Sequence, residues 1–291
     1  MVVPAFFDAV GDFFSQLAAV RWLALVIALI AFTAYLSLRA RASFHILRAA
    51  YPDERFEFRK IWGAYMAAYG FNNVVPARGG DVIKLFLVKS SIPHSSYPAV
   101  GSSFFVEAIF DLAFFASHPR FTLFVLTALA IAALAAFALL SARVRRFWDR
   151  VRQGVTILFD RRRYFREVFA VQFCGWLFRF TAFFLLLEAF NVGGSVRNVL
   201  LVLGVNAVAA LVPFTPGGAG VQQALLVKVF SGTATGATVA AYSVGQQIAI
   251  AAFTFGVGFA ALVWVFRIRS FKEVIAQGRA SRSEEAAAAE V

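Results

Sequence analysis

The chain has 291 residues, of which 60% are hydrophobic, only 15% are charged and 35 are phenylalanine. Soluble domains are about 45–50% apolar and about 25% charged, so this composition excludes a water-soluble fold and predicts an all-α, polytopic membrane protein. In a membrane protein the net charge of +12 sets the orientation of the chain and contacts anionic lipids, and it does not indicate nucleic-acid binding. The single cysteine, Cys174, excludes a disulfide framework.

Apolar runs and helix breakers predict one membrane domain over residues 1–278. In chain order it comprises an interfacial helix at 4–20, a first half at 22–117, a connecting span at 121–142, a cytoplasmic basic loop at 143–167 and a second half at 168–266. The polar, alanine-rich tail 279–291 is predicted to be disordered.

Each half contains two spans and a pair of shorter helices joined by a breaker cluster. In the first half the short helices are 61–75 and 82–91, and Pro76–Asp81 separates them. At 1.5 Å per residue the first of these reaches about 22 Å, less than the roughly 30 Å hydrocarbon core. In the second half, 198–212 and 221–230 flank a break at Pro213–Gly220.

The arginine-rich segments determine a topology. Segments 39–60, 143–167 and 267–282 carry most of the basic excess and are predicted to be cytoplasmic. If 61–75 crossed the bilayer, 143–167 would lie outside, so the short helices are predicted to form two re-entrant broken-helix hairpins. The two halves then form an inverted repeat, which is typical of transporters.

The first break is a candidate anion site. Arg78 supplies planar donors suited to phosphate, Gly79 and Gly80 allow close approach, and Asp81 is placed to cap the helix that carries Lys84. In the alternative reading, Arg78 and Asp81 pair only to make the turn soluble at depth.

Three further charges lie in predicted spans, where charges usually mark functional sites. Glu107 and Asp111, spaced i,i+4, share one helix face. They either balance the positive charges of Arg78 and Lys84 or accept a proton. Arg179 lies at mid-membrane and contacts either the substrate or these two acids.

The second break is richer in glycine and proline than a turn requires. Pro216, Gly217, Gly218 and Gly220 indicate a backbone that approaches a ligand closely, and an ordinary external loop is the alternative.

Amides at Asn72–Asn73, Asn206 and Gln246–Gln247 are predicted to make interhelical hydrogen bonds. No metal-ligand spacing, nucleotide-binding loop or catalytic motif occurs in the sequence, so no metal, cofactor or enzymatic activity is expected.

Two motifs carry a family resemblance. Residues 72–81 (NNVVPARGGD), followed by Glu107 and Asp111, resemble the signature of the lysylphosphatidylglycerol synthase transmembrane, flippase-like family. The segment PFTPGGAGV at 213–221 is similar to the family's P-x-x-P-G-G-x-G segment. Asp81 stands where the family usually has Glu, members usually have one more span before the interfacial segment, and the soluble transferase domain of full synthases is absent.

The resemblance implies a bacterial plasma-membrane protein that moves a polar-headed lipid, of phospholipid or polyprenyl-phosphate type, across the bilayer. It implies that the two breaks, together with Glu107 and Asp111, form the lipid-binding site. The alternatives are an intramembrane transferase and a non-transporting anchor for a membrane glycosyltransferase. Expected partners are the lipid substrate and anionic membrane lipids, with a second copy of the chain or a membrane enzyme as further candidates.

Overall fold

The computed structural model describes residues 11–12, 15, 18–75, 79–115, 142–209, 220–232 and 234–267. All secondary-structure elements within these ranges are helical, apart from one isolated bridge between Ser231 and Ala234, which confirms the all-α prediction for this part of the chain. The helices are α1 Trp22–Ala50, α2 Phe58–Asn72, α3 Gly79–Ser91, α4 Tyr97–Phe115, α5 Ala142–Gly154, α6 Ala170–Ala189, α7 Val196–Ala209, α8 Val221–Val229 and α9 Gly236–Phe266.

Three long helices have the length and apolar character needed to cross a membrane. They are α1, the run Arg161–Ala189 that ends with α6, and α9. The predicted span 100–117 is helical as far as Phe115, within α4, and its last two residues lie outside the described residues. The interfacial helix 4–20, the connecting span 121–142 and the tail 279–291 lie mostly or wholly outside the described residues.

Two predicted boundaries differ from the structure. Helix α1 continues to Ala50, well beyond the predicted end at residue 38, because Arg and Ala are good helix formers and no Gly or Pro occurs before Pro52. The basic segment predicted as a loop is largely helical: α5 is followed by a 3-10 turn at Thr156–Phe159 and a further helical run from Arg161.

The chain divides into two compact units built from interleaved segments. The first contains Met1–Ser37, Trp62–Lys84 and Gly175–Val291, and the second contains Leu38–Ile61 and Leu85–Cys174. In the first unit, Phe32 lies in the core and packs edge-on against Tyr69 and Phe183, with centroid distances of 5.5 and 6.3 Å.

The core of the second unit is formed by small and branched side chains. Ile46, Val106, Ile157 and Val168 are almost completely buried there. Because Ile157 and Val168 flank the basic turns, this core fixes the orientation of the segment between them.

Within the first unit, α2 and α9 are packed with their backbones in contact. A Cβ atom at Gly70 would lie 2.5 Å from the Thr254 carbonyl oxygen, and one at Gly258 would lie 2.6 Å from the Met66 carbonyl oxygen. Only glycine permits this separation, which is the small-residue mode by which membrane helices associate. The contact brings the end of α2 against the middle of α9.

Candidate functional site

Helices α2 and α3 form an antiparallel hairpin in the first unit. Gly80 lies directly against the backbone carbonyl of Ala68, where a larger residue has no room. One turn further along α3, the Lys84 ammonium lies 4.4 Å from the centre of the Tyr65 ring, a cation–π contact. These contacts pair α2 with α3 on the two sides of the first break, and the re-entrant orientation of the hairpin stays a prediction.

The tip of this hairpin is closed by a side-chain hydrogen bond. Asn72 Nδ2, at the end of α2, donates to Asp81 Oδ1 at 2.9 Å. Helix α3 begins at Gly79, so Asp81 lies inside its first turn rather than before it as a cap. At this position the carboxylate still interacts favourably with the positive end of the helix dipole.

Helices α7 and α8 are joined by an equivalent contact across the second break. Gln222 Nε2, in the first turn of α8, donates to Asn206 Oδ1 in α7 at 2.8 Å. Gly220 precedes α8 with a φ of 84°, a conformation that favours glycine, and its N–H donates to Gln223 Oε1 at 2.6 Å. This conformation explains a glycine at the start of α8, and the predicted close approach of Gly220 to a ligand stays a prediction.

Both hairpin tips contact the same face of α9. Asn73 Nδ2 donates to Thr254 Oγ1 at 3.2 Å, and Gln223 donates to the Gln247 carboxamide oxygen. Gln247 and Thr254 are seven residues apart, about two helical turns, and so share one face. Since α9 has 31 residues, they lie on either side of its centre. We name Asn73, Gln223, Gln247 and Thr254 the polar seam.

Two more polar groups lie on α9 beside the polar seam. Gln246 is 1% exposed and Tyr242, one turn earlier, is completely buried. Among the described residues, neither the Gln246 carboxamide nor the Tyr242 hydroxyl has a hydrogen-bond partner. A buried polar group without a partner costs about 1–3 kcal/mol, so both groups favour binding of a polar ligand.

Arg179 is held between aromatic rings in the first unit. Its guanidinium carbon lies 5.5 Å from the Tyr35 ring centre and 6.0 Å from that of Phe183. No carboxylate within the described ranges forms an ion pair with it. Stacking on Tyr35 and Phe183 is thus the contact that the described part of the chain gives Arg179, and its predicted contact with the substrate or with the acids of α4 stays a prediction.

Arg179 and the ion pair near the end of α6 are separated along one helix. Glu188 pairs with the exposed Arg21 at 3.3 Å. Arg179 lies nine residues, or about 14 Å, along the helix from Glu188. The mid-membrane position of Arg179 stays a prediction.

The remaining predicted site residues lie in the second unit or outside the described residues. Glu107 is 3% exposed on α4 in the second unit. Asp111 lies on the same helix, and its side chain is outside the described part. Four further predicted residues also lie outside the described ranges: Arg78, Pro216, Gly217 and Gly218.

Sequence reasoning missed several residues of the site. Gln222 and Gln223 follow the second break directly, a position where polar residues in an apolar helix indicate a function. Thr254 and Tyr35 carry no such signal, because Thr and Tyr are common in membrane helices and only the fold shows their partners. The predicted interhelical bonds of Asn72, Asn73, Asn206 and Gln247 are confirmed by the contacts described above, whereas that of Gln246 has no partner among the described residues.

Comparison with known proteins agrees with the sequence resemblance. A family model described as the lysylphosphatidylglycerol synthase TM region matches residues 2–258, nearly the whole chain. No curated protein and no solved structure matches the chain. Together with the three long apolar helices, the match establishes a membrane-embedded protein. The chain belongs to the family of the lysylphosphatidylglycerol synthase transmembrane region.

Proposed function

We propose that the protein carries the polar headgroup of a phospholipid or polyprenyl-phosphate lipid across the bilayer, while the acyl chains stay in the surrounding lipid. The observation that supports this most is the polar seam, where both hairpin tips contact one face of α9 on either side of its centre. Polar side chains at this depth are costly and usually mark a substrate path.

The hairpins are proposed to be re-entrant and related as an inverted repeat. With 13 and 14 residues, α3 and α7 reach about 20 Å, too short to cross the hydrocarbon core alone. In each hairpin an Asn late in the first helix bonds a polar side chain in the first turn of the second. This shared design supports the repeat. The arginine-rich segments support its inverted orientation, because they are all cytoplasmic, including 143–167 and the C-terminus, only if the two hairpins enter the membrane from opposite sides.

Two sets of charges have separate roles in this proposal. Arg78, Lys84 and Arg179 hold the phosphate, with the N-terminal end of α3 adding its dipole. Glu107 and Asp111, which belong to the second unit, bind a proton or another cation. No covalent chemistry is needed for this task, and the chain is proposed to act without a cofactor in a bacterial plasma membrane.

Purified protein in liposomes provides the test of function. Fluorescent phosphatidylglycerol and phosphatidylcholine are placed in one leaflet, and their arrival in the other is followed with a membrane-impermeant quencher. Both lipids carry a phosphate, and we expect at least one of them to move faster than it does in protein-free liposomes. An unchanged rate for every headgroup offered would contradict transport, and a covalently altered lipid would instead favour a transferase.

A matched pair of threonine substitutions tests the site. Thr254→Val removes the acceptor of Asn73 in the polar seam, whereas Thr181→Val removes only a bond within its own helix. Interhelical hydrogen bonds in membranes contribute about 0.6 to 1.7 kcal/mol, so Thr254→Val should slow lipid movement about threefold to twentyfold. Thr181→Val should match the wild type, and equal effects of the two variants would argue against the polar seam as the path.

A further inference from the structure

Three aromatic side chains point outward from the basic segment of the second unit. Trp148 is 39% exposed, Phe159 is 68% exposed and Phe165 is 62% exposed. A water-facing loop rarely presents three large apolar rings, which mark an interaction surface when they occur together. Aromatic rings with this exposure are typical of the boundary between the headgroups and the acyl chains.

Arginines without acidic partners lie among these rings. Arg150, Arg152, Arg161 and Arg162 are exposed and form no ion pair within the described ranges. In contrast, Arg163 and Arg166 both pair with Glu167, at 2.9 and 3.3 Å. The four unpaired arginines and the three exposed rings are together named the basic aromatic face.

One of these arginines, Arg152, contacts one of the exposed rings. The guanidinium carbon of Arg152 lies 5.5 Å from the centre of the Phe159 ring. This stacking leaves the edge of the guanidinium free to donate two parallel hydrogen bonds, the geometry that suits a phosphate.

The inner side of the segment is firmly anchored. Ile157 and Val168 are buried in the core of the second unit, at 1% and 0% exposure. Gln153 Nε2 donates to the Ala50 carbonyl at 3.0 Å, and Ser102 Oγ donates to the Val151 carbonyl at 2.9 Å. The outward direction of the basic aromatic face is therefore fixed by packing and is not a property of loose side chains.

We propose that the basic aromatic face is a docking surface for anionic phospholipid headgroups of the adjoining leaflet. It lies at the start of the long apolar run Arg161–Ala189, so a headgroup layer meets it directly. The rings insert at the level of the upper acyl chains, and the unpaired guanidiniums bind lipid phosphates. An acidic protein would satisfy the charges but would leave no role for rings suited to the bilayer boundary. This inference does not depend on lipid transport.

Fluorescence quenching by brominated lipids tests the proposal. A variant that retains Trp148 as its only tryptophan is placed in nanodiscs with brominated phosphatidylglycerol, or with brominated phosphatidylcholine in the same proportion. We expect phosphatidylglycerol to be enriched about fivefold around Trp148, the factor that a single arginine contributes near an anionic surface.

Two controls separate this surface from general contact with lipid. A variant that retains only Trp22, which is exposed beside the neutralising Arg21–Glu188 pair, should be quenched equally by both lipids. Changing Arg150, Arg152, Arg161 and Arg162 to Gln should abolish the preference at Trp148, and changing them to Lys should keep part of it. These side chains are exposed, so the fold should persist, as a thermal melt will verify.

The outcomes decide the matter in either direction. A preference for phosphatidylglycerol at Trp148 that depends on the four arginines supports the docking surface. Equal quenching by the two lipids would overturn it, as would no quenching by either. Absence of quenching would leave a soluble acidic partner as the occupant of the basic aromatic face.

Discussion

Replacing Arg179 by Leu should slow movement of a phosphate-bearing lipid at least about tenfold while the thermal stability of the protein stays equal or rises. Most substitutions that destroy function at a packed site also destabilise the fold. The opposite sign expected here follows from the environment of Arg179, which stacks on Tyr35 and has no carboxylate partner in the described part of the chain.

The expected gain in stability comes from removing a charge at depth. Inserting Arg at the centre of a membrane helix costs about 2.5–3.5 kcal/mol, and stacking on an aromatic ring returns only part of this. Leu at the same place has no such cost. In the proposed function, the phosphate of the lipid compensates the charge of Arg179.

The expected loss of transport comes from the charge-assisted hydrogen bonds to that ligand. Such bonds are worth about 1.5–3 kcal/mol, which corresponds to a rate reduction of about tenfold or more. Arg179→Lys keeps the charge but loses the planar stacking, so an intermediate rate is expected.

Arg21→Leu is the matched control for Arg179→Leu. Arg21 is also basic, but it is exposed and already paired with Glu188. An exposed pair contributes at most about 1 kcal/mol, so this variant should transport normally. Transport rates in liposomes and melting temperatures in detergent check both statements. Normal transport by Arg179→Leu would remove Arg179 from the site, and a large fall in its melting temperature would show a structural role.

A large loss of stability is expected for Gly258→Ala. The added methyl group would lie 2.6 Å from the Met66 carbonyl oxygen and 3.1 Å from the Ala67 Cα atom, and neither can retreat without moving α2. Overpacking of this kind costs about 1–3 kcal/mol. Since α2 carries the tip of the first hairpin, the displacement should also disturb the contact of Asn73 with Thr254.

Gly256→Ala provides the same chemical change two residues away. A Cβ atom at Gly256 meets nothing within 4 Å, so the variant should melt at or slightly above the wild-type temperature. Melting curves of the two variants in one detergent make the comparison. If both melted alike, the close packing of α2 on α9 would be refuted.

The helices of this fold were predictable because their causes are local. Unbroken apolar runs predict α6 and α9 to within a few residues, and the breaks at Pro76–Asp81 and Pro213–Gly220 predict two pairs of short helices. The apolar run 22–38 predicts too early an end for α1, which continues to Ala50. Arginines mark the point where a span leaves the hydrocarbon core, but they do not end a helix.

The site was predictable only in part because its partners are distant in sequence. The amides of Asn73 and Gln247 were correctly expected to bond other helices, yet their partners Thr254 and Gln223 depend on which helix faces cross. The stacking of Arg179 on Tyr35 has the same origin, because the antiparallel packing of α1 and α6 brings together residues that no local pattern connects.

The most direct test of the polar seam as a headgroup path is the water accessibility of two neighbouring positions on α9. Gln247 faces the second hairpin, whereas Ile248 is 59% exposed on the outer surface. In a background where Cys174 is replaced by Ala, single cysteines at 247 and 248 are treated with a membrane-impermeant maleimide in liposomes. A headgroup path predicts labelling at 247, slowed by added phosphate lipid, and little labelling at 248. No labelling at 247 in the absence of added lipid, or equal labelling at both positions, would contradict the path.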